Sequence, residues 1–410
     1  MELPGDRFDV IIIGGGIMGS CTAYEAAKRG RRALLLEQFD FLHHRGSSHG
    51  ESRTIRATYP ESYYPPLVLE SYRLWSEAES EAGYRVLTET RHLDVGPAAD
   101  CSLQAVIANS TAAAAARVID RAEVDDIFSG TFRLPDGWIG VSTEVGGVIR
   151  PTKAVAMFQT LALKRGAILK DHTEVNEIKK DETGGVLVKT ANGHVFRGAK
   201  CVVTVGSWAK KLVNTVTGLP LPIQPLHTCV CYWKIKDDHE EELTPEKGFP
   251  TFASYGQPYI YGTPSSEFPG LIKIAMHGGQ PCDPDCRDWT SNSGILVDAV
   301  RAWIKEFLPD LVEAGRPVMT QACMYSMTPD GDFVIDFLGG ELGKDVVVGA
   351  GFSGHGFKMG PAVGRILADL AIDGEAKGVD LRWFRMARFD KDPKGNAKEY
   401  EDQVSSHVNL

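Results

Sequence analysis

The chain has 410 residues, enough for two domains and a sizeable core, with 43% hydrophobic and 24% charged residues, an ordinary globular balance. Its formal net charge is −10 and its Lys and Arg residues form no stripe, which argues against a nucleic-acid partner, because phosphate backbones are bound mainly through clustered cations. The longest apolar runs, such as Val10–Ile13, are strand-length and far too short for a membrane-spanning helix.

Met1 to Arg7 lacks a basic start followed by an apolar stretch, so no secretory leader is expected. Phe8 to Ile13 then reads as a strand buried on both faces. Gly14, Gly16 and Gly19 follow in the G-x-G-x-x-G pattern, and Ala23, Ala26 and Ala27 continue with helical spacing to a stop at Lys28-Arg29-Gly30. Ala33 to Leu36 is a second strand, closed by Glu37. Each part has a task in binding a dinucleotide. Gly14 permits the tight turn, Gly16 lets the backbone approach a pyrophosphate, and Gly19 lets helix and strand pack closely. The helix N-terminus offers free N–H groups to phosphate, and Glu37 accepts hydrogen bonds from the ribose hydroxyls. An acid at that position favours FAD or NAD over NADP.

After Glu37 the strand–helix alternation breaks into a polar segment, "FLHHRGSSHGESRTIRATYPE" (41–61). It resumes around 166–169, 201–208 and 346–351. A nucleotide domain returning in pieces around an inserted domain is a flavoprotein pattern, which selects FAD. The alanine run Ala112–Ala116 reads as a plain helix. "CVCYWKI" (229–235) and "PYIYGTP" (258–264) read as strands of the inserted domain, with Cys229 and Cys231 on one face. Eight scattered cysteines do not suggest a disulfide framework, and a reducing compartment is expected. Cys282 and Cys286 could be half a metal site, but no second half exists, so no metal is expected.

"GGGIMG" (14–19), "RGSSHGESRTIR" (45–56), "YGTP" (261–264), "LIKIAMH" (271–277), "CMYSMTPDGDFVID" (323–336) and "GAGFSGHGFKMG" (349–360) give a specific resemblance. With the tail "DPKGNAKEY" (392–400), the chain resembles the monomeric sarcosine oxidase and L-pipecolate oxidase family of FAD-dependent amine oxidases, and most of all its plant members.

The resemblance implies an α/β, two-domain flavoprotein with a Rossmann-like FAD domain and a mixed-sheet substrate domain. The FAD domain is expected from 1–90, 146–215 and 321–385, and the substrate domain from 91–145 and 216–320. A loosely packed or disordered tail is expected over 386–410. The implied activity is oxidation of a secondary amino acid (sarcosine, another N-methyl amino acid or L-pipecolate) to the imine, with O2 reduced to H2O2. The family's usual form suggests a monomer with no membrane partner. It also suggests a peroxisome, although Val408-Asn409-Leu410 does not match the Ser-Lys-Leu signal; cytoplasm is the alternative.

Site residues follow from the same resemblance. Cys323 has no CxxC partner, and a lone thiol by itself is most simply core packing. In this family the matching cysteine carries the flavin covalently through sulfur. A thiolate can add to an electrophilic ring methyl, and the thioether raises the flavin's potential. Val175 and Gly354 complete the cofactor set. Arg56 and Lys358 form a carboxylate clamp, and Lys358 also lies beside the flavin. Their combined charge lowers the bound amine's pKa, so no strong general base is required. Tyr261, Tyr325 and His277 line the pocket. Lys273 is the oxygen-activating cation, with Arg53 and His49 as flavin-side neighbours. Pocket volume, assigned to the surroundings of Phe252 and Met276, decides among substrates. Two other readings are a dehydrogenase feeding a protein acceptor, which has no need of Lys273, and a flavin-binding scaffold without catalysis. Retention of Cys323, Arg56, Lys358 and Lys273 weighs against the scaffold.

Overall fold

A computed structural model describes residues 7–111, 113–287 and 294–398. Strand β1 (Arg7–Ile13) pairs in parallel with β2 (Ala33–Leu36) on one side and with Val195–Val203 on the other. Gly343–Ala350 extends this sheet beyond Val195–Val203, also in parallel. Alternate residues feed two different cores. Val10, Ile12, Leu35, Val202 and Val347 pack with the helices Ile17–Lys28, Pro151–Lys164 and Gly360–Asp373. Ile11, Ile13, Leu34, Val203 and Val348 pack on the opposite face. Burial on both faces explains the continuous apolar runs, and each such side chain contributes roughly 1.5–3 kcal/mol.

A second sheet has nine strands. At its centre Thr251–Ser254 lies between His92–Pro97 and Ile260–Thr263, and Leu271–Met276 follows. The long strand Gln224–Lys234 comes next. One face carries Leu93, Phe252, Ile272, Ile274, Met276 and Trp233, packed on the helix Gly294–Phe307. Trp303 of that helix stacks on Phe252 with ring centroids 5.2 Å apart. The other face turns to the first sheet and the cavity. A third, three-stranded sheet joins β3 (Arg53–Arg56) to Gly146–Ile149 and Leu87–Glu89.

Three expectations change. Residues 321–327, expected in the FAD layer, belong to the second sheet. Their strand Met319–Met327 pairs antiparallel with Gln224–Lys234 from Tyr232↔Met319 to Gln224↔Met327. Only beyond the Thr328–Asp332 turn does the chain rejoin the first sheet, at Val334–Gly339. The alanine run is not helical over its described residues 113–116. The preceding helix ends at Ser110, Ala115 has φ 48°, and the Ala114 carbonyl accepts from Thr143 Oγ1. Tertiary contacts override alanine's propensity here.

The tail is packed as far as it is described. Arg388 Nε donates to Asp330 at 2.6 Å, and Lys398 Nζ to Asp332 at 3.0 Å. Both acceptors are buried, so the tail's cations neutralise carboxylates that would otherwise be costly. Residues 399–410 of the expected loose tail, and 1–6, lie outside the described residues. Among the described residues no helix is long and apolar enough to cross a membrane.

Candidate active site

One cavity of about 390 Å³ runs between the two large sheets, from the glycine turn to Lys273 and Lys358. At its first end Gly14 has φ 102° and donates its N–H to the Leu36 carbonyl at 2.7 Å. A Cβ there would lie 2.5 Å from the Thr204 carbonyl oxygen, and one on Gly19 would lie 1.9 Å from the Gly14 oxygen. Gly19 packs helix on strand and does not border the cavity, whereas Gly14 and Gly16 do. Gly16 caps the helix Ile17–Lys28 without a side-chain cap, leaving the helix dipole toward the cavity. Glu37 is buried, and its carboxylate accepts from the N–H groups of Gly15 (2.7 Å) and Phe39 (3.0 Å). Two of its lone pairs are thus used by the protein to shape the turn, and others remain for a ribose. Val175 borders the same end.

The middle of the cavity is made by strand periodicity. Cross-strand partners share a face, so Thr228 and Cys323, Ala253 and Tyr261, Tyr261 and Ala275, and Thr263 and Lys273 all present to one side. Lys273 is 2% exposed, and its Nζ donates to the Ser52 carbonyl at 3.0 Å and to Ser52 Oγ at 3.1 Å. Burial first, then the nearby Arg53 guanidinium, pulls its pKa down to about 7. Arg53 Nη2 donates to the carbonyls of Ser47 and His49, both at 2.9 Å, and lies 3.6 Å from Cys323 Sγ. The thiol therefore sits beside a fixed positive charge. His49 is buried just behind this wall and does not border the cavity; burial, then Arg53 and Arg287, drives its pKa to about 3. It is a neutral second-layer neighbour of Arg53, not a group in contact with the cavity.

At the far end the clamp candidates come together despite their separation in sequence. Arg56 Nη2 approaches the Tyr259 hydroxyl at 3.4 Å, while Nη1 is buried without a hydrogen-bond partner. A buried, unsatisfied guanidinium nitrogen bordering a cavity is a site prepared for an anion. Lys358 Nζ donates to the Tyr59 hydroxyl and to the His355 carbonyl, both at 2.9 Å. Gly354, with φ 77°, makes the turn before it; a Cβ there would lie 2.7 Å from His277 Cε1 and 2.9 Å from Tyr325 Cε2. The Tyr261 and Tyr325 hydroxyls lie 3.4 Å apart, and the His277 ring lies 5.1 Å from Tyr325.

Sequence reasoning missed part of this end. Tyr59 and His355 stand inside or beside the recognised motifs, yet only the structure shows that they hold Lys358. His92 and Asp94 are both fully buried, with His92 Nε2 3.0 Å from Asp94 Oδ1 and Nδ1 2.9 Å from Thr251 Oγ1. Burial pushes Asp94 up, but His92 and then Arg56 outweigh it and keep the carboxylate ionised. The available signal was alternation: polar residues at 92 and 94 flanking buried Leu93 on one strand. Met276 was assigned the wrong role, since its side chain joins the core on the opposite face and does not border the cavity, whereas Phe252 packs in the same core and does border the cavity.

These features define a redox enzyme for a dinucleotide cofactor. A glycine cradle that a Cβ would fill, a helix start with glycine as its N-cap and a cavity continuing to Cys323 fit FAD. The family model "FAD dependent oxidoreductase" matches residues 9–370. The chain is 60% identical to "Probable sarcosine oxidase" of Arabidopsis thaliana over 100% of both chains. It is 37% identical to "Peroxisomal sarcosine oxidase" of Homo sapiens, over 95% of this chain and 98% of that one. Among solved structures, the amino acid oxidase NikD of nikkomycin biosynthesis superposes with a TM-score of 0.78 at 26% identity, covering 97% of this chain and 100% of NikD. The chain belongs to the FAD-dependent oxidoreductase family, and its cofactor is FAD.

Proposed function

We propose that this enzyme oxidises a secondary amino acid (sarcosine, another N-methyl amino acid or L-pipecolate) to the imine and reduces O2 to H2O2. The observation that carries this reading is the pair of buried basic side chains, Arg56 and Lys358, at the end of the cavity opposite the dinucleotide cradle. The plant and human relatives, both called sarcosine oxidases, support the substrate class.

Bound FAD supplies a hydride acceptor and returns the electrons to O2. The protein's tasks are positioning and charge. Arg56 Nη1 and Lys358 hold the carboxylate, which fixes the amine and its neighbouring C–H bond. Tyr261, Tyr325 and His277 close the pocket around the amine and exclude water. Lys273, on the row containing Thr263, provides a positive charge for electron density developing on O2. Cys323, 3.6 Å from Arg53, would carry the flavin through sulfur, the thiol giving up its hydrogen and the ring methyl one of its own, the two reducing equivalents passing to the flavin and on to O2. An intact-mass measurement on denatured protein tests the attachment: the mass of polypeptide plus FAD less two hydrogens is expected, and bare polypeptide mass contradicts it.

Gly14, Gly16, Glu37 and Val175 would hold the adenosine and pyrophosphate end of FAD, and Gly354 and Lys358 the ring end. The human relative's name favours a peroxisome, with cytoplasm as the alternative. The name of a Bacillus relative, "Monomeric sarcosine oxidase", favours a monomer acting on a small amino acid and O2. Rapid-mixing kinetics separate the oxidase from a dehydrogenase. An oxidase's substrate-reduced flavin is reoxidised quickly in air with one peroxide per turnover, whereas a dehydrogenase's persists until an electron acceptor is added.

A further inference from the structure

The amino-acid oxidase reading, on which this inference rests, leaves one proton without a destination. An amino acid arrives at neutral pH as a zwitterion, and its ammonium group must lose a proton before the adjacent C–H bond can give up a hydride. The carboxylates bordering the cavity, Glu37, Glu174 and Asp285, stand with the glycine turn and the Trp208 segment at the dinucleotide end. Among the described residues no carboxylate borders the substrate end as a proton acceptor.

Lys358 has an acceptor's geometry. Its backbone is pinned by Trp75, whose Nε1–H donates to the Lys358 carbonyl at 2.9 Å. Its Nζ donates to the Tyr59 hydroxyl and the His355 carbonyl, which uses two of the three positions around that nitrogen. The His355 ring fixes the direction of the first of these bonds. Its Nε2 lies 3.0 Å from the Gly331 carbonyl, which can only accept, so Nε2 carries the hydrogen. Nδ1, 3.2 Å from the Tyr59 oxygen, then accepts the phenolic hydrogen, and the Tyr59 lone pairs face Lys358. The third position on Nζ is left for the cavity: an N–H in the ammonium form, a lone pair in the amine.

The surroundings favour the lone pair while no ligand is bound. The Arg56 guanidinium carbon lies 4.5 Å from the centroid of the Tyr59 ring, and Lys358 Nζ lies 5.4 Å from the same centroid, so two basic groups share one aromatic ring. Among the described residues no carboxylate lies within ion-pair distance of either. Asp94 is held by His92 and acts from farther away, and the other titratable groups at this end are His92, Tyr255, Tyr259, Tyr261, His277 and Tyr325. Burial, then Arg56, holds Lys358 well below the ordinary lysine range.

We infer that Lys358 meets the substrate as a neutral amine and takes the proton from its ammonium group. One N–H bond breaks, leaving its electron pair on the substrate nitrogen, and one N–H bond forms on Nζ. The substrate's carboxylate then faces a charged lysine, and its amine is left neutral for hydride loss. Total charge does not change.

The test titrates the holoenzyme with acetate, a carboxylate with no proton to give, by calorimetry at mildly alkaline pH in buffers of different ionisation enthalpy. Uptake of about one proton per acetate is expected, because the bound anion favours the ammonium form of Lys358. Lys358→Arg, charged throughout, should bind acetate without proton uptake. In that variant anaerobic flavin reduction by sarcosine or L-pipecolate should move to higher pH, because the amine must first lose its proton to solvent. Acetate binding to the wild type without proton uptake would overturn the inference. So would a Lys358→Arg variant with wild-type uptake and pH profile. No acetate binding at all would remove the clamp and the inference together. Failure of the oxidase reading looks different: acetate still draws in a proton, yet neither amino acid reduces the flavin, and Lys358 then stands as the proton acceptor for another amino-bearing acid.

Discussion

The two faces of the nine-stranded sheet use the same strands for opposite ends. On one face Leu93, Ile272, Ile274 and Met276 fill a core against the helix Gly294–Phe307. On the other, one residue away, Asp94, Lys273 and Cys323 are buried as polar or reactive groups. The first face gains from burial; the second spends part of that gain on desolvated charge, visible in the lowered pKa of Lys273. Neighbouring substitutions on one strand should therefore fail in different ways.

Ile274→Ala should give the largest effect, a loss of about 2–5 kcal/mol of stability from a buried core position, measured by denaturant unfolding. Its kinetic constants per folded flavin should stay near wild type. Lys273→Met, on the adjacent residue, should slow reoxidation by O2 by roughly 10²–10³-fold and spare reduction by substrate. Rapid mixing reads both half-reactions, and equal slowing of the two would merge the faces into one structural role. Lys398→Met tests a region outside the sheet. Removing the cation beside buried Asp332 and Glu61 should cost about 2–4 kcal/mol of stability, read as a lower Tm, because Asp332 keeps only the neutral donors Tyr63, Tyr64 and Asn396.

The smallest effect is a pH dependence. Lys273 is charged below its pKa and neutral above it, so reoxidation should be fastest below about pH 7 and decline as pH rises through that value. The decline should be at most about tenfold per pH unit and absent in Lys273→Met. A pH-independent oxygen reaction in the wild type would remove the lysine's charge from the account.

The dinucleotide end was legible because its parts are contiguous: strand, glycines, helix, strand and acid occupy residues 8–37. The pairing of Arg56 with Lys358 was legible only through the resemblance, since they meet through folding at the Tyr59 ring and no spacing rule connects them. Residues 321–327 were placed in the wrong layer because their strand character is local but the partner of their strand, Gln224–Lys234, is not. The tail looked like a loose charged segment because Arg388 and Lys398 are ordinary surface residues until they meet Asp330 and Asp332. Asp94 was missed for the same reason. A carboxylate on a strand acquires meaning only from the histidine and arginine that the sheet places beside it.

The central claim is the oxidation of a secondary amino acid at the Arg56–Lys358 end of the cavity. Its most direct test is peroxide release by the purified yellow protein, with sarcosine and L-pipecolate assayed side by side. Peroxide from at least one of them, with the flavin bleaching when oxygen is withheld, is the predicted result, and the ratio of kcat/KM names the better substrate. A flavin that neither compound bleaches would contradict the account.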